Sequence, residues 1–348
     1  MSQMKILITG VTGQDGSHMA DYLLNNTEHI IICGVRRLSV KNHKNISHLL
    51  CNPRFFLIDL DVTDTQNIDR VIQEEKPDYF INFASNSFVG CSWDMPHNHM
   101  QTNCMAVLHQ LEAIRRHNPK CRYYNAGSSE EFGDVVTVPQ SEEHPLRPRS
   151  PYGASKCAAR HLVKVYRDSY ELYAVQGWLF NHEGVRRGEE FVTRKITKHV
   201  ARIFMQLQRR AEVTPLQLGN LDSKRDWSDA EDFVDGVWKM LNQDTPQDYV
   251  LSSGETHTIR EFVEEAFNFA GFHRSQCSWQ GEDLEEKYFH GDDCIVEINK
   301  DFYRPAEVDL LLGDSTKARE ELGWEPKSNF LQLVKKMVDA DLGDVISS

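Results

Sequence analysis

A tyrosine and a lysine four residues apart, Tyr152 and Lys156 in SPYGASK, fall on one face of any helix built there. An ammonium on that face favours a phenolate and can hold a ribose, so Tyr152 is placed to take a proton from a substrate hydroxyl. This is the only Tyr-x-x-x-Lys in the chain. Upstream, NAGSSEEFG pairs a hydroxyl, Ser128, with a carboxylate two residues later, Glu130, where the chain leaves an apolar run. Proton exchange at one hydroxyl needs no second acid–base group, so Glu130 asks for a further step.

The segment TGVTGQDG, residues 9 to 16, supplies the partner for such chemistry. Gly10 allows a tight turn, Gly13 lets backbone approach a pyrophosphate, and Gly16 lets the following helix pack on its strand. Thr12, Gln14 and Asp15 share this turn and are counted with it as a dinucleotide site. Where a carboxylate for the ribose 2′-hydroxyl would stand, ICGVRRLS carries Arg36 and Arg37, which suit a 2′-phosphate and favour NADP. Asp61, past the third apolar run, is a candidate adenine contact.

These groups need a frame. Six short apolar runs, KILITG, HIIICGV, RFFLIDL, DYFINFA, CRYYNAG and YAVQGWLF, alternate with helical patterns, which predicts an α/β fold with a doubly wound parallel sheet. The spacing predicts helices over Asn98 to His117 and over Pro151 to Tyr170, the second with Ser150 as N-cap. After about Asn181 the rhythm breaks. The expected division is a Rossmann domain over 1–180 carrying the catalytic residues and a smaller mixed α/β lobe over 181–345, with some segments free to return to the sheet. Capping boxes are expected at Ser228 to Glu231 and at Thr258 to Glu261, the latter helix closing at Gly271.

Composition narrows the partners. With 52 acidic against 39 basic residues the net charge is −13, which disfavours nucleic acid and anionic membranes. Eight cysteines without a Cys-x-x-Cys point to reduced thiols in a cytoplasmic setting. No apolar run reaches the length of a membrane span. His97 and His99 lack companion ligands and read as surface residues, so no metal is expected.

Taken together, Ser128, Tyr152 and Lys156 resemble the hydroxyl, tyrosine and lysine of the extended short-chain dehydrogenase/reductase family of nucleotide-sugar enzymes. SFVGCSW, FNHEGVRRGEEFVTRKIT, GNLDSKRDW and YRPAEVDLLLGDSTKAREELGW are similar to segments of the GDP-mannose 4,6-dehydratases over nearly the whole chain. The family's usual Thr-Ser-Glu is here Ser128-Ser129-Glu130, a usual tyrosine is Phe132, and SDAEDFV stands for a more typical GHAKDYV.

The resemblance implies NADP, GDP-mannose as substrate, and a homo-oligomer, dimer or tetramer, in which the Arg-Arg loop reaches a neighbouring subunit's cofactor. It also makes Glu130 intelligible, as the base that removes the C5 proton once C4 is oxidised. Between Arg186 and Arg202 six basic residues face only Glu189 and Glu190. Of the cations in this lobe, Arg187, Lys195, Arg225 and Arg304 match the family's GDP-sugar contacts, while Lys198 and Arg202 read as a solvated helix face. Ser87, Asn181 and Gly219 complete the implied sugar-nucleotide site, with Glu307 on the guanosine ribose. A GDP-sugar reductase or epimerase, a dehydratase of a related GDP-heptose, and an NADP(H)-binding sensor or scaffold are the alternatives.

Overall fold

The six apolar runs form parallel strands β1 (Lys5–Thr9), β2 (Ile30–Val35), β3 (Phe55–Asp59), β4 (Tyr79–Asn82), β5 (Arg122–Ala126) and β6 (Ala174–Leu179) in a computed structural model that describes residues 3–302 and 310–347. The sheet runs β6-β5-β4-β1-β2-β3, with a seventh parallel strand, Val250–Leu251, beside β6. Strand order reverses between β1 and β4, which leaves a crevice at their carboxyl ends, the place where such sheets bind ligands.

Both faces are covered over the inner strands, which are apolar on both sides, while the edge strand β3 leaves Phe56 exposed. Ile6 and Ile8 face one layer, with the helix α1 (Gln14–Asn26) and the helix Ala230–Leu241, while Leu7 faces the other, with the helices Thr65–Glu75, Ala106–His117 and Pro151–Tyr170. Ser150 caps the last of these through a bond from the Gly153 amide at 3.0 Å. The helix predicted from Asn98 begins at Pro96 and carries a π turn at Gln101–Met105.

The later half divides between two cores. Phe233, Val237, Met240, Leu251, Leu322 and Trp324 pack onto the sheet, so residues after 181 complete the nucleotide-binding unit as well as forming the second lobe. That lobe has a four-stranded sheet (Leu216–Leu218, Cys277–Gln280, Lys287–His290 and Asp293–Ile298) and the helices Val192–Gln208, Ile259–Phe269 and Phe330–Ile346 around Trp227, Phe262 and Phe330. Thr258 and Glu261 form the expected capping box, and Gly271 follows with φ +92°. Ser228 does not cap its helix. It pairs with His182 in a short parallel ladder, and Asp229 takes the cap by accepting from the Glu231 amide at 3.0 Å.

Candidate active site

A cleft of about 1280 Å³ opens between the carboxyl ends of the sheet and the second lobe. Ser128, Glu130, Tyr152 and Lys156 all line it. Ser128 leaves β5 in extended conformation and caps the 3₁₀ turn Ser129–Glu131, its Oγ accepting from the Glu130 amide at 3.2 Å. In that turn Glu131 points inward and Glu130 toward the cleft. Glu131 is fully buried, pairs with Arg160 at 2.5 Å and accepts the Ser128 amide at 2.8 Å. Gly127 packs against both partners so closely that a Cβ would stand 2.7 Å from each. The buried pair therefore fixes the strand end from which Ser128 and Glu130 project.

Tyr152 is 7% exposed and hydrogen-bonded to the Ser128 side chain. Burial drives its phenol well above the usual range, against the lowering effect of the Ser128 bond, and the nearby Glu130 carboxylate adds to the rise. Lys156, one turn on, donates to the Ala126 carbonyl at 2.8 Å and stands 5.9 Å from the Tyr152 ring centre. The phenolate expected from the ammonium's field is thus overridden by desolvation. Burial also brings the Lys156 amine down to about 8, with Glu131 and Asp15 opposing the fall.

The π turn presents Asn103 to the back of this group. Asn103 accepts from Ser85 Oγ at 3.0 Å and the Asn86 amide at 2.9 Å, and donates to Ser155 Oγ at 3.1 Å. Ser155 in turn donates to the Tyr152 carbonyl at 2.7 Å. One buried amide therefore ties the loop after β4 to the catalytic helix, as π turns at functional sites commonly do. His99, expected at the surface, is fully buried, and its ring meets Tyr152 edge-on at 6.4 Å.

On the nucleotide side Gly10 adopts φ +74°, and a Cβ there would stand 2.7 Å from the Ala84 amide nitrogen. Gly16 is closed by its own turn rather than by the strand, since a Cβ would lie 2.4 Å from the Gly10 oxygen. No side chain caps α1, which leaves its first amides available to an anion. Thr12, Gln14, Asp15 and Asp61 line the cleft, and one Asp61 oxygen is held by Thr63 at 2.7 Å. Arg36 and Arg37 are both exposed; Arg36 lies at the rim, whereas Arg37 is not among the lining residues.

Asp15 turns toward the second lobe. Its carboxylate meets His182 Nε2 at 3.0 Å, and Gln14 Nε2 donates to the His182 carbonyl at 3.0 Å. The Asp15 carboxyl is held well below the usual range: burial pushes it up, but the facing His182 outweighs that. His182 shifts upward for the same reason, against its own burial.

The basic run sorts by partner. Arg186 pairs with Asp21 at 2.7 Å, Arg194 with Asp341 at 2.9 Å and Lys198 with Glu189 at 2.5 Å, while Arg202 is exposed. Arg187 and Lys195 line the cleft, joined by Arg225, Asn181, Gly219 and Ser87. Arg187 packs on Phe191 and forms an ion pair with Glu183 at 3.0 Å, while Lys195 sits 3.5 Å above the Phe302 ring. Arg304 and Glu307 lie outside the described residues. Glu131, Arg160, Asn103 and His182 escaped the reading of the sequence. The order Ser-Ser-Glu-Glu offered a signal for the first, since a capping box needs its acid three residues after the hydroxyl.

A family profile described as GDP-mannose 4,6 dehydratase matches residues 7–337. GDP-mannose 4,6 dehydratase of Drosophila melanogaster is 42% identical over 97% of this chain and 85% of its own length. The enzyme of the same name from Sinorhizobium fredii is 42% identical over 98% of both chains. Among solved structures, dTDP-glucose 4,6-dehydratase of Bacillus anthracis in complex with NAD shares the fold, with a TM-score of 0.79 at 21% identity over 97% of this chain and 96% of that one. With a cleft that gathers hydroxyl, carboxylate, tyrosine and lysine, and with this likeness along its whole length, the chain belongs to the GDP-mannose 4,6-dehydratase family.

Proposed function

We propose that this chain is a lyase that converts GDP-D-mannose to GDP-4-keto-6-deoxy-D-mannose with bound NADP. The observation that carries the reading is Glu130: a carboxylate at the cleft wall, two residues from the hydroxyl that bonds Tyr152, with no hydrogen-bonding partner for its oxygens among the described residues. The uncapped start of α1 and the crowded Gly10 and Gly16 fit a dinucleotide pyrophosphate, and Arg36 at the rim fits a 2′-phosphate. Such a cofactor supplies hydride acceptance at C4 and hydride return at C6.

The protein's own groups handle protons and position. Tyr152 acts as the phenolate, which the Lys156 ammonium and, when bound, a cationic nicotinamide would favour against the desolvation that otherwise keeps it protonated. It then takes the C4 hydroxyl proton while Ser128 hydrogen-bonds the same oxygen. Lys156, its amine brought down to about 8, holds the ribose and as the ammonium stabilises the phenolate before it takes the proton. The C4 ketone acidifies C5, and Glu130 takes that proton. The carboxylic acid so formed passes it to the C6 oxygen as the C–O bond breaks, one water leaves, and Glu130, reprotonated from solvent, then returns a proton to C5. Arg187, Lys195 and Arg225 neutralise the diphosphate, with Asn181, Ser87 and Gly219 beside it and Arg304 and Glu307 toward the guanosine. In this reading residues 1–180 carry the chemistry and 181–345 mainly the sugar nucleotide.

The eight free thiols suit a reducing, cytoplasm-like compartment, and a homo-oligomer is expected, to be checked by light scattering. No helix among the described residues is long and apolar enough to cross a membrane. The deciding assay incubates catalytic amounts of the chain with GDP-mannose and added NADP and follows products by mass spectrometry. Loss of one water per sugar with no net change in cofactor is expected; unchanged GDP-mannose, or a product gaining two hydrogens at the cofactor's expense, refutes the reading.

A further inference from the structure

Behind the catalytic tyrosine lies a second pair of reactive groups that the dehydration does not use. Cys91 sits in the 3₁₀ turn Gly90–Ser92, partly exposed, with its Sγ 3.8 Å from Nε2 of the fully buried His99. The tautomer follows from the other ring nitrogen: Nδ1 faces the Met95 carbonyl at 3.0 Å, and a carbonyl only accepts, so Nδ1 carries the hydrogen. In the neutral ring the Nε2 lone pair then faces the thiol. The thiol also reaches the Phe88 carbonyl at 3.1 Å. Of these two acceptors only the imidazole can take the proton away. A nucleophile, a base and a group that orients the base thus stand in line, the arrangement that activates cysteines.

The other thiols differ. Burial pushes up those of Cys33, Cys104, Cys121, Cys157, Cys277 and Cys294. Cys51 is exposed, and no base is hydrogen-bonded to it among the described residues. A change at Cys91 would also be felt at the active site, because Gly90 and Trp93 on either side line the cleft and His99 packs against Tyr152.

We propose that Cys91, activated by His99, is a modification site for small hydroperoxides and that its oxidation turns off the neighbouring catalytic group. The thiol proton passes to His99 Nε2, the sulfur attacks one peroxide oxygen, and the O–O bond breaks. The departing hydroxide, or alkoxide from an organic hydroperoxide, takes the proton from the imidazolium and leaves as water or alcohol. Sulfur is oxidised to a sulfenic acid as the peroxide is reduced, and the added oxygen lies against the His99 ring that borders Tyr152.

Site-resolved labelling of the whole chain tests this without reference to any substrate. With iodoacetamide near pH 7, Cys91 should react at least about tenfold faster than Cys51, since an ordinary thiol is only ~3% ionised there. His99→Gln should remove that advantage and leave Cys51 unchanged. Should His99→Gln fail to fold, the wild-type pH profile decides, with Cys91 labelling reaching its plateau at lower pH than Cys51. After hydrogen peroxide, a dimedone adduct should appear at Cys91. Equal rates at the two thiols, or an adduct on Cys51 alone, overturns the proposal. The control over catalysis rests on the dehydratase reading: peroxide should lower turnover in the wild type, a thiol reductant should restore it, and Cys91→Ser should be resistant. Equal peroxide sensitivity in Cys91→Ser overturns that control.

Discussion

Replacing Lys156 with methionine isolates the cost of keeping an ammonium in the cleft wall. The residue is 3% exposed, and burial lowers its amine from 10.5 to about 8. Below pH 8 both folded and unfolded chains hold the proton, and the folded chain bears the full desolvation cost. Between pH 8 and 10.5 the unfolded chain still binds the proton while the folded chain has released it, so wild-type stability rises with pH across this window. A drop of this size corresponds to about 3 kcal/mol at ~1.4 kcal/mol per pH unit. Lys156→Met has nothing to titrate there. Loss of the bond to the Ala126 carbonyl costs the variant a further ~1 kcal/mol, but by the same amount at every pH. Urea denaturation of both proteins at pH 7, 8.5 and 10 should show wild-type stability gaining on the variant by about 2.5 kcal/mol across the series. A difference that stays flat within ~0.5 kcal/mol refutes the claim that the amine is strained toward its neutral form.

Three further outcomes are expected. Glu130→Gln should still bind GDP-mannose but lose ~10²–10⁴ in water elimination, with no solvent deuterium entering C5; near wild-type turnover would require another base. Glu131→Ala should remove the nearer of the two carboxylates facing the buried Arg160 guanidinium, leaving Asp248 at 3.6 Å, and cost about 3 kcal/mol in thermal or urea unfolding, although Glu131 is not among the cleft-lining residues. Arg36→Asp should reverse or erase a preference for NADP over NAD in cofactor titrations, whereas Arg37→Ala, away from the cleft lining, should have the smaller effect.

The central sheet was legible because strands covered on both faces read as unbroken apolar runs, and all six appear where those runs lie. The seventh strand was not, because Val250–Leu251 has only two residues and shows no periodicity. The lobe boundary blurred for a related reason: Phe233 and Trp324 join the sheet's core from far along the chain, and only their packing reveals it. Within the site, the glycine turn and the Tyr152–Lys156 spacing were readable since each is a local geometric requirement. Which of two adjacent glutamates turns inward depends on the 3₁₀ turn and on Arg160, 29 residues from Glu131. Asp15 and His182 are 167 residues apart, a pairing no local pattern encodes. Ser228 was misplaced by one residue because either Ser228 or Asp229 could cap the same helix, and pairing with His182 takes Ser228 out of contention.

The π turn at Gln101–Met105 bears on how this segment can evolve. Such a turn holds one residue more than the α-helix around it, and each helical residue advances the chain by about 100°. Deleting a single residue would give a more regular helix while swinging Asn103 away from Ser85, Asn86 and Ser155. A substitution of a solvent-facing side chain in this segment therefore leaves these bonds in place, whereas a change in its length disturbs a loop and a tyrosine that lie elsewhere in the chain.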